Sequence, residues 1–317
     1  MSRRNNFIHL GVLALLGLGV LLSLLVPQPT PPDISRQPPE LSVIIREPDS
    51  PLWFNCRQGM EQAAGELGAE LRFIPLTGFN NVAEQVQMVR SEVENGSDLF
   101  VIASADSEVL GPQLNELTGQ RTVVAMESTM EAAADYIGLD NQAVGEALAR
   151  ELLDHYQGGT VLLVNTAPQV QAVDQRAAAA RRLLEEQGLS LEYRETPASL
   201  LSQSLSRMTS QTAARSVMVF EHTATLQAAK AKEADALTCT LYGVGASGSI
   251  PVYLERGTLR AVAAWSEYAI GYQAVTQALG IYDGSVTASG DDISFSIVNG
   301  EDIYDPEIQK LLFPVAS

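Results

Sequence analysis

The sequence predicts an α/β protein built from two doubly wound parallel-sheet lobes, and three observations carry that reading. Short aliphatic and β-branched runs alternate with helix-patterned stretches from Leu41 to about Ile303. The helical stretches end at Gly or Asn and pass into the next strand through short turns, the pattern of a parallel sheet covered on both faces. The alternation pauses at YIGLDN (Tyr136 to Asn141) and restarts, giving two units of similar size with no linker between them. Open parallel sheets bind ligands beyond the carboxyl ends of their strands. Two such edges facing one another predict a cleft.

At the N-terminus, Arg3 and Arg4 precede Phe7 to Val26, an apolar run free of Asp, Glu, Lys and Arg. A helix of about 20 such residues spans a bilayer. No small-x-small cleavage site follows, so an uncleaved transmembrane anchor over 1–26 is expected ahead of a cleaved signal peptide, with the basic flank in the cytoplasm. No cysteine follows the run to take a lipid. PQPTPPDISRQPPE (27–40) carries six prolines and reads as a semi-rigid stalk. The anchor would hold the rest of the chain at the extracytoplasmic face of a bacterial cytoplasmic membrane; cleavage would leave it secreted or periplasmic.

The first unit then reads in order. LSVIIR is a strand, followed by a helix to about Leu67, the strand AELRFIP and a helix over NVAEQVQMVRSEVENG. In that helix Val82, Val86, Val89 and Val93 form a core stripe, while Glu84, Gln85 and Arg90 are expected to face water. LFVIAS is a strand, SEVLGPQLNELTG a helix and TVVAM a strand. In the second unit NQAVGEALARELLDHY is a helix, TVLLVNT a strand, VQAVDQRAAAARRLLEEQG a helix and LSLEYRE a strand. A Ser-rich helix, SVMVF, the helix ATLQAAKAKEA and TCTLYGVG come next. A short helix to Arg256, the strand LRAVAAW and the long helix SEYAIGYQAVTQALGIYDG follow, and DISFSIVNGEDI reads as a last pair of short strands.

Charge narrows the function classes. Residues 1–40 hold three of the 20 basic and two of the 38 acidic residues. The remainder therefore carries a net charge of −19, a poor match for nucleic acid or an anionic lipid surface. Cys56 and Cys239 lie far apart in apolar settings and read as two buried free thiols, although pairing stays open. Three histidines, His9, His155 and His222, with no Cys/His cluster give a zinc site no ligand set, and no cofactor is implied. GVGASG (Gly243 to Gly248) formally matches G-x-G-x-x-G, with Glu267 about twenty residues on, but its place late in the second unit favours a cleft-lining turn. GASGS (Gly245 to Ser249) fails the nucleophile-elbow pattern at its last position. His222, beside Glu221, is the one histidine placed to serve as a base, with Ser128 or Ser247 as conceivable partners. Catalysis is not expected.

DSPLWF (Asp49 to Phe54) places three large apolar side chains where the first strand hands over to a helix. They must pack, or receive something that packs on them. SPLWF, the helix ending ELG, VENGSDLFVIAS and YIGLDN, in that order and spacing, resemble the extracytoplasmic sugar-binding proteins of the ribose-binding type. These are periplasmic binding proteins of type 1, which share their fold with the ligand domains of lac-repressor-like regulators. The resemblance implies two lobes joined by three crossovers, hinged around a ligand that both lobes grip. Lobe 1 would be 41–138 plus 267–291, lobe 2 would be 139–266 plus 292–304, and 305–317 a C-terminal tail.

The resemblance also implies site residues. Trp53 stands where the family stacks an aromatic ring on a sugar, and Leu52 replaces the other aromatic; packing under the helix is the alternative role for each. Glu127-Ser128 replaces an aspartate-arginine pair. Asp174 falls on an arginine, Glu221 on an asparagine, Gly245 on an aspartate and Trp265 on a glutamine. Both arginines that would fork onto hydroxyls are therefore expected to be missing. Three carboxylates in one cleft repel unless a cation sits among them, and tryptophans attract cations. A neutral sugar, an amino sugar or a small organic cation thus all stay open, as does a rim position for some of the carboxylates. The implied partner is an ABC-type permease, or a membrane sensor such as a histidine kinase. Asn141 is expected to be a hinge and helix-cap residue.

Overall fold

The computed structural model of the chain describes residues 37–246, 249–288 and 293–312. The expected anchor and most of the expected stalk lie outside the described residues. Among those described, no helix is long and apolar enough to cross a membrane.

The first sheet is fully parallel. It contains β1 (Glu40–Ile44), β2 (Glu70–Ile74), β3 (Leu99–Ala103), β4 (Thr122–Met126) and β5 (Asp135–Ile137), in the order β2-β1-β3-β4-β5. Its inner strands β1, β3 and β4 are largely buried because helices cover both faces, while the edge strands β2 and β5 are only partly buried. Ser50 accepts from the Leu52 N–H and opens the 3-10 turn Pro51–Trp53, with Pro51 at a position that needs no donor. The turn runs into α1 (Phe54–Leu67), which stops where Gly68 adopts a left-handed φ of 71°. α2 (Val82–Glu94) is capped by Asn81, whose Oδ1 accepts from the Glu84 N–H. Gln85 departs from the expected water-facing role and is fully buried. Its amide donates to Ala103 O and accepts from Ala105 N, satisfying the backbone where β3 ends. The single helix expected over 107–119 is broken by Gly111-Pro112 into α3 (Ser107–Leu110), a 3-10 turn and α4 (Leu114–Thr118).

The second sheet contains β6 (Thr160–Asn165), β7 (Leu191–Glu195), β8 (Ala214–Val219), β9 (Thr240–Val244), β10 (Ala261–Trp265) and β11 (Phe295–Asn299). Its order is β11-β10-β9-β8-β6-β7. All are parallel except β11, which returns antiparallel along β10 with Trp265 opposite Phe295. The last pair of strands expected from DISFSIVNGEDI is this one strand, followed by a 3-10 turn (Asp302–Tyr304) and α11 (Pro306–Leu312). The second sheet's helices are α5 (Asn141–Asp154), α6 (Gln171–Glu186), α7 (Ala198–Thr212), α8 (His222–Ala234) and α9 (Ile250–Glu255). α5 packs on α6 and reaches β9, β10 and β11.

α10 (Glu267–Asp283) follows β10 directly but packs on α1 and on β3, β4 and β5 of the first sheet. The chain thus crosses between sheets after β5, at Ser266, and again before β11. The first and last of these passages touch, with Ile293 N donating to Gly138 O at 2.7 Å. One apolar cluster runs from Leu41, Val43 and Met126 through to Val161, Leu163 and Tyr242, and a further cluster fills the other face of each sheet. Cys56 and Cys239 are both free and buried.

Candidate functional site

Strand ends carry the ionisable groups. β1 ends within the apolar run Val43–Ile45, and Arg46 and Glu47, both buried, follow just past its carboxyl end. Glu127 follows β4, Glu221 follows β8, and Trp265 closes β10. These positions come from two sheets, and together they wall a cavity of about 60 Å³. One water needs roughly 10–15 Å³ on this measure, so the space suits a small molecule.

Arg46 holds the centre. Its Nε donates to Glu127 Oε2 at 2.8 Å, and its Nη1 donates to Glu221 Oε1 at 2.8 Å and to Asn80 Oδ1 at 3.0 Å. Burial opposes the guanidinium charge, but Glu127, Glu221 and Glu47 together raise its pKa well above the ordinary value. Glu221 Oε2 accepts from Thr166 Oγ1 at 2.6 Å. Glu47 accepts from Trp53 Nε1 at 2.8 Å and from Thr223 Oγ1 at 3.3 Å. Glu127 has a left-handed backbone, φ 64°. A non-glycine residue is held in that conformation at a cost, typically where the surroundings require one side-chain direction. Here the Glu127 carbonyl accepts from Tyr136 Oη and its side chain meets Arg46.

A second buried cation comes from α6. Arg176 donates through Nε to Asn141 Oδ1 at 2.7 Å and through Nη1 to Phe220 O at 3.2 Å, and its Cζ lies 5.0 Å from the Trp265 ring centroid. Burial lowers its pKa to about 10, so it stays charged at neutral pH. Opposite, His222 Nδ1 lies 3.0 Å from Glu267 Oε1.

Of the residues expected at the site, Leu52, Trp53, Glu127, Glu221 and Trp265 line this cavity; Asp174, Ser128 and Gly245 do not. Asp174 is exposed and accepts from Asn165 Nδ2 at 3.1 Å. Two residues along a helix is a rotation of about 200°, so Arg176 and not Asp174 faces the cavity. Ser128 Oγ is buried and accepts from the Ala172 N–H in the first turn of α6. Gly245, at φ 110°, shapes the wall: a Cβ there would sit 2.6 Å from His222 Cδ2. Asn141 is not the cap of α5. That role belongs to Asp140, which accepts from the Ala143 N–H, while Asn141 orients Arg176.

Against the expectation that both arginines are missing, the cavity wall holds two, Arg46 and Arg176. Arg46 is the cation that Glu127 and Glu221 require. Arg46, Glu47, Arg176 and Glu267 escaped sequence reasoning. The available signal was the abrupt change from IleIle to ArgGlu at the end of β1, since charge directly beyond a buried parallel strand lies at the ligand-binding edge. Ser247, named above as a conceivable partner of His222, lies outside the described residues. The described residues contain no group of three or more His, Cys, Asp or Glu side chains arranged to hold a metal ion.

Solved structures share this architecture. A solute-binding protein of an ABC transporter from Agrobacterium vitis, bound with α-D-tagatopyranose, aligns with a TM-score of 0.79 at 21% identity, over 87% of this chain and 100% of its own. A carbohydrate-transporter solute-binding protein from Agrobacterium radiobacter, in complex with D-arabinose, aligns with a TM-score of 0.81 at 17% identity, over 88% of this chain and 100% of its own. A XylFII–LytSN complex aligns with a TM-score of 0.74 at 16% identity, over 84% of this chain and 100% of that chain. At these identities the likeness is one of fold. No curated protein matches the chain in sequence. The profile of the periplasmic binding protein domain matches residues 41–285, most of the chain, and the chain belongs to that family.

Proposed function

We propose that the chain is an extracytoplasmic substrate-binding protein that captures a small sugar or sugar-like ligand by hinge closure and delivers it to an ABC-type importer, without catalysis. The observation that carries this reading is a small cavity walled by strand ends of both sheets, with two indole rings, two guanidinia and four carboxylates around it. Carboxylates accept from adjacent hydroxyls and guanidinia donate to ring and hydroxyl oxygens, so the wall can bond a polyol from several sides. Indole faces suit the apolar face of a sugar ring. Arg46 already bonds both Glu127 and Glu221 and offsets part of their charge, which turns the reading away from a free organic cation and toward a sugar or amino sugar.

Lobes of 41–138 plus 267–291 and 139–266 plus 292–304 would close on the ligand. An anchor over 1–26 and a stalk over 27–40 would tether them. A ligand drives closure only through its differential affinity for the closed form. A second reading, in which the closed lobes signal to a membrane-bound sensor, is favoured by the similarity to a chain of the XylFII–LytSN complex.

The test follows the melting temperature of the full chain with D-tagatose, D-arabinose, D-fucose, D-glucosamine, spermidine and choline. A ligand at about 100 times its dissociation constant adds roughly 2.7 kcal/mol. A shift with one or more of the sugars is the expected outcome; a shift with spermidine or choline alone would defeat the sugar reading.

A further inference from the structure

Glu267 is a carboxylate whose bonding the protein leaves half complete. It is 9% exposed, lines the cavity, and opens α10 just after the cap residue Ser266, which accepts from the Ala269 N–H. Oε1 lies 3.0 Å from His222 Nδ1, while Oε2 is withdrawn from solvent with no hydrogen-bond partner among the described residues. The neighbouring acids differ. Both carboxylate oxygens of Glu47 and of Glu221 accept from protein donors, and Glu127 Oε2 accepts from Arg46. A buried acceptor left unsatisfied is costly, more so when charged, and in a native structure it calls for a partner.

We propose that Glu267 Oε2 receives a protonated amino group of the bound ligand, so that the captured molecule is an amino sugar. This rests on the sugar-binding reading above. A hydroxyl would fill the hydrogen bond at Oε2 but not the charge. The cavity wall sets four carboxylates, Glu47, Glu127, Glu221 and Glu267, against the guanidinia of Arg46 and Arg176. Arg46 is committed to Glu127 and Glu221, and Arg176 to Asn141, Phe220 O and the Trp265 ring. An ammonium brings the missing cation, and a charge-assisted N–H···O bond is roughly twice as strong as a neutral one. The missing Cβ of Gly245 leaves room for the His222 ring beside Glu267. His222 and Glu267 therefore form a built edge of the cavity.

Calorimetric titration of the full chain with D-glucosamine and D-galactosamine, against D-glucose, D-galactose and N-acetyl-D-glucosamine, tests this directly. At least one amine should bind about tenfold or more tightly than its parent sugar, and N-acetylation, which removes the charge, should abolish that preference. Glu267→Gln should weaken the amine about tenfold to a hundredfold, the usual range for losing a charged hydrogen bond, and so remove its advantage over the parent sugar. Parent sugars binding as tightly as the amines, or a Glu267→Gln protein of unchanged melting temperature that keeps the preference, would overturn the proposal. If the variant does not fold, the wild-type comparison of amine with N-acetyl sugar decides by itself. Neutral sugars binding without the amines defeats only the amine assignment. Binding of no sugar of either kind defeats the sugar-binding reading beneath it.

Discussion

Glu47 illustrates what burial does to one ionisable group. Burial raises its carboxyl above the ordinary 4.5; Arg46 pulls it down, Glu221 and Glu127 push it up again, and the Trp53 hydrogen bond lowers it. The folded protein therefore keeps this proton to higher pH than the unfolded chain does. Its contribution to stability is full below the ordinary value and is lost as pH rises through the folded one, by about 1.4 kcal/mol for each unit of elevation. Glu47→Gln keeps an acceptor for Trp53 Nε1 but cannot ionise. The variant should match wild type near pH 4 and melt higher at neutral pH. Thermal melts from pH 4 to 8 check this, and a variant destabilised equally at both ends would refute it. The pair ArgGlu at 46–47 was visible in the sequence. Its pairing was not, because Glu127 and Glu221 approach it from 81 and 175 residues away.

At the scale of elements, α1 and α10 approach until their backbones touch. A Cβ on Gly59 would meet the Tyr268 carbonyl oxygen, and one on Gly271 would meet the Cys56 carbonyl oxygen. Backbone cannot rotate out of the way as a flexible side chain can. Gly271→Ala should therefore lower the urea midpoint, with m unchanged and a cost of about 1–3 kcal/mol; a midpoint equal to wild type would show that the helices can separate freely. The same contact positions the first turn of α10, and with it Glu267. Helix and strand positions were largely legible from periodicity. The failures have local causes: Gly111-Pro112 interrupts the helical ladder, and Gln85 turns inward to satisfy backbone beyond β3.

Across the whole molecule, several contacts tie the first sheet's strand ends to the second's. Arg46 reaches Glu221, Thr223 reaches Glu47, and the Thr129 N–H and Oγ1 both donate to Gln171 Oε1. If the lobes hinge, these bonds favour the closed arrangement even without ligand. Glu221→Ala removes the buried bridge while leaving Arg46 its bonds to Glu127 and Asn80. Small-angle scattering of the ligand-free variant should give a larger radius of gyration than wild type at the same ionic strength. Equal radii would show that the bridge does not hold the lobes together.

By itself the sequence determined the class of fold, the succession of strands and helices, the pause between two units, and five cavity-lining positions: Leu52, Trp53, Glu127, Glu221 and Trp265. Each depends on local pattern or on short motifs in order, and local pattern survives being read one residue at a time. Only the tertiary structure decided which charges meet. The helical rotation between Asp174 and Arg176 exchanged an expected carboxylate for a guanidinium. The meeting of the chain beyond β1 with the chain beyond β8 brought Arg46 to Glu221. The return of α10 to the first sheet carried Glu267 to His222. Electrostatic energy depends on distance and burial, and neither exists until distant segments have packed.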